Sequence, residues 1–240
     1  MNKKFLSAAW NQLIMANYRV DPAILQPYLP AGTELDLWQG NCYVSLVGFM
    51  FKQTKVKGVK IPFHINFEEV NLRFYVRYND NGTWKRGVVF ISEIVPKPAI
   101  VWVANTIFKE NYRTCKMKHH IEQTPDWLYV GYQWRHQGYW NSLSVVADPV
   151  ALPLATGSEA EFITEHYWGY SKKTQQHTIE YAVEHPRWNI HRVETFEIHC
   201  RFGELYGTAF AALENRAPDS VLLAVGSKVS VGDRRFLVNS

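Results

Sequence analysis

The sequence predicts one α+β domain built on a mainly antiparallel sheet. Three observations support this fold class: many short stretches alternate apolar and polar residues, Asn79-Asp80-Asn81-Gly82 is a strong turn signal between two of them, and only two or three stretches carry helix signals. The chain has 240 residues, of which 47% are hydrophobic and 15% aromatic, which is enough for one large core. Because no linker, repeat or low-complexity segment divides the chain, we expect a single domain over residues 1–240.

The first quarter of the chain is predicted to hold two strands and one short helix. Asp21 is a good N-cap and Pro22 a good first helical residue, so a helix should start where the first strand ends. Gly58 and Pro62 indicate an exposed connector. In order, we expect a strand over 10–20, a helix over 22–28, a strand over 41–51 and the connector over 52–62.

The stretch from His64 to Tyr78 is the clearest strand. From Glu69 onward, apolar and polar residues alternate strictly, which gives the strand one apolar and one polar face. The apolar face must pack on a core, while the polar face either meets water or lines a polar cavity. The turn at 79–82 should join this strand to a second one over 84–95 in an antiparallel hairpin. The polar face carries Glu69, Asn71, Arg73, Tyr75 and Arg77.

The remaining chain adds two helices and further strands. Pro98 starts a helix whose apolar residues share one stripe, and we expect this helix to cover the sheet. Ser158 and Glu161 form a capping box that starts a second helix. The helices are expected over 98–109 and 158–167, strands over 115–121, 127–136, 141–147, 178–183, 192–200 and 221–231, a loop over 149–157, and a strand or mixed segment over 202–213.

Composition argues against several classes of protein. The net charge of +4 comes from scattered residues, and the densest run holds four lysines between Lys52 and Lys60, so nucleic-acid binding is not expected. No run of about 18 apolar residues occurs, and Asn11 and Gln12 interrupt the first apolar stretch, so we expect neither a membrane span nor a signal peptide. The three cysteines form no Cys-x-x-Cys pair, which favours a reducing cytoplasm over a disulfide framework or a zinc site.

Glu69 is the leading candidate for acid–base chemistry. Beside Asn71 and Arg73, its carboxylate could act as an acid, a base or an orienting group if the polar face is enclosed. A solvated strand face is the alternative. Glu93 should lie across the hairpin, where it could pair with Arg73 or Arg77, and such a pair could be purely structural.

Other side chains carry weaker signals. The nine histidines show no metal-ligand spacing, and no glycine-rich phosphate loop is present, so neither a metal nor a nucleotide cofactor is expected. Cys115 lacks a local nucleophile signature and is expected to be a buried thiol. Lys97, Lys116 and Lys118 could form a Schiff base only if they are desolvated or lie near another cation, and solvated charges are the ordinary alternative.

Four stretches of the sequence together carry a family resemblance: Phe67 to Arg77, Arg86 to Pro96, Glu165 to Tyr170 and Glu184 to Trp188. They resemble the bacterial YqjF-like family, whose function is unknown, and the resemblance extends over nearly the whole chain from Tyr18 onward. It implies the acetoacetate decarboxylase-like fold, in which an antiparallel barrel encloses a pocket and is flanked by further strands and two or three short helices.

The resemblance also implies where a site would lie. In the decarboxylase relatives, the catalytic site contains a strand glutamate, an N-terminal arginine and an adjacent lysine pair. The resemblance matches Glu69 to the glutamate and Arg19 to the arginine. Asn111-Tyr112-Arg113 stands where the lysine pair is expected, so the Schiff-base lysine is missing there unless Lys97 or Lys116 enters from a neighbouring position. This argues against decarboxylation through an imine.

These observations lead to a ligand-binding hypothesis with two alternatives. We expect a cytoplasmic protein that binds a small anionic organic molecule, such as a carboxylic acid, in the barrel pocket without a cofactor, and a homo-oligomer is compatible with this. The first alternative is a lyase or hydrolase that acts on a carbonyl acid through acid–base chemistry by Glu69, with help from Tyr112 or a lysine. The second is a structural or interaction protein whose barrel is filled by aromatic side chains. The expected ligand-binding residues are Arg19, Arg73, Arg113, Asn71 and Glu93.

Overall fold

A 14-stranded sheet forms most of the computed structural model, which describes residues 4–238. Three short α-helices and three 3₁₀ helices join or cover its strands within that range. The strands are β1 (Lys4–Val20), β2 (Thr33–Leu35), β3 (Cys42–Val56), β4 (Phe67–Asp80), β5 (Thr83–Val95), β6 (Tyr112–Thr114), β7 (Lys116–Gln123), β8 (Leu128–His136), β9 (Tyr139–Pro153), β10 (Trp168–Lys172), β11 (His177–Glu184), β12 (Asn189–His199), β13 (Ser220–Gly232) and β14 (Arg235–Val238). The α-helices are α1 (Pro98–Ile107), α2 (Glu159–Thr164) and α3 (Phe202–Tyr206), and the 3₁₀ helices are Pro22–Ile24, Gln26–Tyr28 and Thr208–Leu213.

Seven strands close into a ring. Neighbouring strands follow the order β11-β10-β5-β4-β3-β1-β13, and β13 pairs again with β11, where Val231 lies opposite Val183. Most pairs are antiparallel, but β10 and β6 each pair with β5 in parallel. The predicted α+β class with a mainly antiparallel sheet and flanking strands is therefore confirmed. The ring occupies the place of the expected barrel. The β5–β10 and β11–β13 pairings that close it each involve only two pairs of residues.

Strand β4 is buried on both faces. Its apolar residues between Val70 and Val76 are fully buried and share a core with residues of β8 and β9, outside the ring. Its polar residues Glu69, Asn71 and Arg73 point into the ring and are also buried. The predicted antiparallel hairpin with β5 is confirmed, and its pairing runs from Val70 to Asp80 with a register shift between Leu72 and Arg73. The polar face is thus enclosed by protein and not solvated.

The rest of the sheet forms a second layer. Strands β12, β9, β8 and β7 continue the sheet from β13, so the chain covers the outer face of the ring with its own later strands. Two large cores result, one between the layers and one inside the ring. The alternation of β4 serves both of them, since each face of a strand meets a different core.

Helices α1 and α2 turn apolar side chains toward the inside of the ring. The start of α2 has the first bond of the predicted capping box, because the Ser158 hydroxyl accepts from the Glu161 N–H at 3.1 Å. The Glu161 carboxylate accepts from the N–H of Gly157 at 2.5 Å, one residue before the cap, and the Ser158 N–H donates to the Ala155 carbonyl oxygen. The helix ends at Thr164, earlier than predicted. Among residues 4–238, no helix is both long and apolar enough to cross a membrane.

Several other predicted segments differ from the structure, and one of them is the loop over 149–157, whose first half belongs to β9. The expected connector begins later, because β3 continues to Val56 and the N–H of the buried Thr54 donates to the Ile65 carbonyl oxygen at 3.0 Å. The segment over 202–213 is helical, since its buried residues recur every three or four positions and not every two. The helix over 22–28 is split into two 3₁₀ turns because Pro27 has no N–H to donate, although the Asp21 cap is present.

Candidate functional site

A cavity of about 200 Å³ lies inside the ring. Side chains from all seven ring strands and from α1 form its wall, and most of them are apolar. The interior of the ring is therefore not completely filled by its aromatic side chains. The polar and charged groups that reach the cavity are Thr54, His64, Glu69, Asn71, Arg73, Glu93, Glu110, Tyr112, Thr164, His166, Tyr181 and His185.

Glu69 lies at the centre of the polar part of this wall. Its side chain is held by two donors, since Asn71 Nδ2 donates to Oε1 at 2.9 Å and the Tyr112 hydroxyl donates to Oε2 at 3.1 Å. Burial raises the pKa of Glu69 to about 7, against the opposing effects of these two hydrogen bonds and of the Arg73 charge. A carboxyl that titrates near neutral pH can both take up and release a proton under ordinary conditions.

Two further carboxyls are buried beside Glu69. Glu93 lies opposite Asn71 in the β4–β5 register, and its pKa is well above the usual range because of burial and the charges of Glu110 and Glu69. Glu110 follows α1 and accepts a hydrogen bond from the Tyr181 hydroxyl at 2.7 Å. Burial raises the pKa of Glu110 to about 8, with a smaller contribution from Glu69. The cavity thus contains three carboxyls that hold their protons more tightly than exposed ones do.

Arg73 is a buried cation that lines the cavity, with only 8% of its surface exposed. Among residues 4–238, no carboxylate lies within ion-pair distance of its guanidinium, and its Nε has no hydrogen-bond partner. Nη2 donates to the Met15 sulfur at 3.7 Å and to the Ile163 carbonyl oxygen at 3.4 Å, and Cζ lies 5.6 Å from the centre of the Tyr75 ring. The ion pair between Glu93 and Arg73 or Arg77 is absent, and Arg77 pairs instead with Glu34 at 2.5 Å.

The structure does not bring Arg19 or Arg113 to the cavity. The Arg19 side chain is 53% exposed near the end of β1, where its Nε donates to the Tyr43 hydroxyl at 3.0 Å and lies 3.5 Å from Asp219. Arg113 is exposed because neighbouring residues of a strand point to opposite sides and Tyr112 takes the inward position. Of the predicted site residues, the cavity therefore collects Glu69, Asn71, Arg73, Glu93 and Tyr112.

His166 joins the cavity to a polar network behind it. Its Nε2 lies 3.4 Å from Asp36 and 3.3 Å from Arg86, whose Nε donates to the same Asp36 oxygen at 2.6 Å. Burial lowers the pKa of His166 to about 4, and the charges of Arg86 and Arg73 act in the same direction. Burial raises the pKa of Asp36, but the hydrogen bonds from His166 and Arg86 outweigh it and hold the pKa below its usual value. His166 is thus a neutral, positioned side chain at the cavity wall.

The described residues place neither a lysine nor a cluster of metal ligands at this cavity. No lysine is among the described residues that line the cavity: Lys97 is half-buried at the start of α1, and Lys116 is exposed. Within residues 4–238, no group of three His, Cys, Asp or Glu side chains is placed to hold a metal ion. Cys115 is a buried free thiol, as expected.

Sequence reasoning missed Glu110, Tyr181 and His166 as site residues. Glu110 has no local signal, because it reaches the cavity through the turn after α1, and its partner Tyr181 is 71 residues away. His166 lies in one of the stretches that carry the family resemblance, which gave a reason to consider it but no chemical role.

The protein has the acetoacetate decarboxylase-like fold. The chain is similar to acetoacetate decarboxylase from Legionella pneumophila subsp. pneumophila str. Philadelphia 1 (TM-score 0.66, 14% identity, 99% of this chain and 90% of that one). It is similar to an acetoacetate decarboxylase-like enzyme from Sphingomonas wittichii RW1 (TM-score 0.67, 14% identity, 100% and 95%) and to the enduracididine biosynthesis enzyme MppR complexed with pyruvate (TM-score 0.64, 12% identity, 96% and 90%).

Within this fold, the chain belongs to the DUF2071 family, described as an uncharacterized conserved protein, whose model matches residues 7–228. It is 27% identical over 190 residues to the uncharacterized protein YqjF of Bacillus subtilis (strain 168), a match that covers 77% of this chain and 74% of that protein. The family expected from the sequence is therefore confirmed.

Proposed function

We propose that this protein binds a small organic acid in the ring cavity, with Arg73 as the partner of the ligand carboxylate and Glu69 as a polar handle. The buried guanidinium of Arg73 carries this proposal. A buried charge without a close counter-ion is costly, so such a group is retained where a ligand completes it. A carboxylate can accept hydrogen bonds from the guanidinium in a bidentate geometry, which gives both affinity and orientation.

The size and wall of the cavity support a small ligand with an apolar body. At about 200 Å³ the cavity is smaller than common drug-sized pockets of roughly 300–1,000 Å³. MppR, which shares the fold, has been crystallised with pyruvate, a carbonyl acid of suitable size. That similarity is an analogy of fold and supports only the class of ligand.

Thermal unfolding with a series of small carboxylates tests the proposal. A ligand that binds the folded state adds RT ln(1 + [L]/Kd) of stability, about 2.7 kcal/mol at 100 times Kd. We expect pyruvate, acetoacetate or a short alkanoate to raise Tm in the natural protein but not in Arg73→Met. Arg77→Met is the matched control, because it removes an arginine from the same strand that does not line the cavity. A flat response to the whole series, or equal responses in both arginine variants, would contradict the proposal.

A second candidate is an enzyme that acts on a carbonyl acid by acid–base chemistry. The observation in its favour is Glu69, whose pKa of about 7 matches the requirement for a general acid or base, with Tyr112 hydrogen-bonded to it. Proton NMR in deuterium oxide would report both turnover and exchange at the carbon next to the carbonyl. We expect Glu69→Gln to abolish any such exchange while the carboxylate still binds. If the natural protein binds the acid but neither exchanges its protons nor turns it over, the enzyme hypothesis is wrong and the binding function remains.

We also propose a cytoplasmic location. The three cysteines are buried free thiols, which supports a reducing compartment such as the cytoplasm. Alkylation of the unfolded protein, isolated from cells under acid quench, would measure how many thiols are reduced in the cell.

A further inference from the structure

We propose that the bound acid also carries a basic nitrogen, so that its ammonium group meets Glu93 and Asn71 while its carboxylate meets Arg73. This inference rests on the proposed function and narrows its ligand class to amino acids whose two charged ends are separated. Within the described part of the chain, the polar wall has buried acceptors without a donor at one end, Asn71 Oδ1 and Glu93 Oε2, and a buried donor without an acceptor at the other end, Arg73 Nε, and these unpaired atoms support the inference.

Two buried acceptors without partners lie side by side on the β4–β5 pair. Asn71 Oδ1 and Glu93 Oε2 accept no hydrogen bond from residues 4–238, although Asn71 is only 1% and Glu93 only 2% exposed. The two residues are directly opposite in the strand register and both line the cavity. The amide nitrogen of Asn71 is already committed to Glu69, which fixes the amide oxygen as the free atom. Buried polar atoms are almost always satisfied. The ammonium group of a ligand can donate to both atoms, provided that Glu93, on binding, gives up the proton that its raised pKa holds in the unliganded cavity.

The other hydrogen-bond donors nearby are in use. The Tyr112 hydroxyl donates to Glu69 and the Tyr181 hydroxyl to Glu110. Three carboxyls therefore share the cavity with Arg73, which has a free donor of its own, Nε. A plain carboxylic acid would satisfy Arg73 but bring no donor to Asn71 Oδ1 and Glu93 Oε2. An ammonium group has up to three donors, so it can donate to both acceptors, and its positive charge favours the ionised form of Glu93.

Asn71 and Arg73 reach the cavity from different positions on β4. They are on the same face of the strand and two residues apart, so their Cα atoms are roughly 7 Å apart. A five-carbon amino acid with a terminal ammonium group separates its charges by a comparable distance and is therefore the probe of choice. The apolar walls of the cavity suit the intervening methylene groups.

Calorimetric titration with matched pairs tests the inference. The probes are 5-aminopentanoate and pentanoate, which differ only in the amino group, and pentylamine, which lacks the carboxylate. We expect 5-aminopentanoate to bind roughly ten-fold or more tightly than pentanoate, since a charged hydrogen bond is involved. Glu93→Gln should reduce this ratio about ten-fold and leave pentanoate affinity the same or higher. Gln has the shape of the protonated Glu93 side chain, so the variant is expected to fold, which circular dichroism verifies.

Glu68→Gln is the control variant. Glu68 precedes Glu69 but points away from the cavity, where it pairs with His119 at 2.6 Å, so its substitution removes a nearby charge without touching the wall. Glu68→Gln should leave the ratio of the affinities for 5-aminopentanoate and pentanoate unchanged. Equal affinities for 5-aminopentanoate and pentanoate would overturn the inference while the acid-binding function stands. If neither five-carbon acid binds while pyruvate or acetoacetate still raises Tm through Arg73, the inference is overturned and the acid-binding function stands. If no acid of either series binds, or if pentylamine binds as well as 5-aminopentanoate, the acid-binding function itself fails.

Discussion

The hydroxyl of Tyr112 donates a hydrogen bond of 3.1 Å to Oε2 of Glu69. This contact joins β6, a strand of three residues, to the middle of β4. Parallel pairing of β6 with β5 places Tyr112 beside Glu93 as well, so one hydroxyl lies between two buried carboxyls. The hydrogen bond to Glu69 favours the ionised form of that carboxyl, and contact with the same hydroxyl lowers the pKa of Glu93 against the larger effect of burial.

Replacing Tyr112 by Phe should therefore raise the pKa of Glu69 above about 7. A hydrogen bond to a charged group contributes about 1.5–3 kcal/mol, so removing it should raise the pKa by roughly one unit or more. Carbon-13 NMR of labelled glutamate side chains, titrated between pH 5 and 10, measures this directly.

Tyr181→Phe is the control for this titration. It removes the donor to Glu110, so the larger shift should move to Glu110, whose pKa is about 8. If Tyr112→Phe leaves the Glu69 titration unchanged, the Tyr112 hydrogen bond does not stabilise the carboxylate.

The three buried carboxyls should make the protein less stable as the pH rises. In the unfolded chain a glutamate titrates near pH 4.3, whereas in the folded protein Glu69 titrates at about 7, Glu110 at about 8 and Glu93 well above its usual range. Between these values the folded state binds more protons than the unfolded state, so the free energy of unfolding falls with increasing pH. The slope is about 1.4 kcal/mol per pH unit for each extra proton bound.

Urea unfolding at several pH values between 6.5 and 9 measures this slope, in a range where His166 is neutral in the folded protein. The variant with Glu69, Glu93 and Glu110 all changed to Gln should lose most of it and be more stable than the natural protein at pH 8. Substituting Gln for the exposed Glu122, Glu194 and Glu204 is the matched control and should keep the slope. A natural protein whose stability is constant over this range would show that the three carboxyls are ionised when folded.

The sequence was sufficient to predict β4 and its hairpin with β5. Strict alternation from Glu69 to Arg77 and the turn at 79–82 are local signals, and local signals need no knowledge of the rest of the chain. The environment of the polar face could not be derived in the same way. Burial of Glu69 depends on closure of the ring by β10 and β11, which lie about a hundred residues later, and only the family resemblance pointed to it.

The two predicted arginines that miss the cavity illustrate a second limit. Arg113 and Tyr112 are adjacent in a short strand, so a shift of one residue decides which of them faces inward. Short irregular segments give no pattern from which to choose. Arg19 was assigned from the resemblance alone, and its position near the end of β1 leaves its side chain at the surface with Asp219.

Gly87 should be essential for closure of the ring. It lies opposite Trp168 where β5 and β10 pair, and a Cβ atom there would be 2.6 Å from the Trp168 carbonyl oxygen and 2.6 Å from the Tyr170 ring. Backbone cannot move aside as a flexible side chain can, so Gly87→Ala should destabilise the protein by about 1–3 kcal/mol or more through overpacking. Chemical unfolding monitored by tryptophan fluorescence measures the loss.

Gly232→Ala provides the comparison for Gly87. Gly232 lies at the end of β13, and the nearest atom to an added Cβ would be 3.8 Å away, which is ordinary contact. Its substitution should change stability little or raise it slightly, because alanine restricts the unfolded chain more than glycine does. Equal losses in the two variants would mean that the β5–β10 contact does not limit closure.

Borohydride reduction in the presence of pyruvate or acetoacetate should leave no adduct on the natural protein. Imine formation needs an amine that is partly neutral and within reach of the bound carbonyl, and none of the described residues that line the cavity is a lysine. Tyr112→Lys would place an amine beside Glu69 at the position where the resemblance expects a lysine, and we expect this variant to be trapped, which shows that the assay detects an imine in this cavity. Intact-protein mass spectrometry reports the adduct and peptide mapping its position. A trapped adduct on Lys97 or Lys116 of the natural protein would show that a lysine enters the cavity from a neighbouring element, and the chemistry of the site would then be that of an imine instead of Glu69 alone.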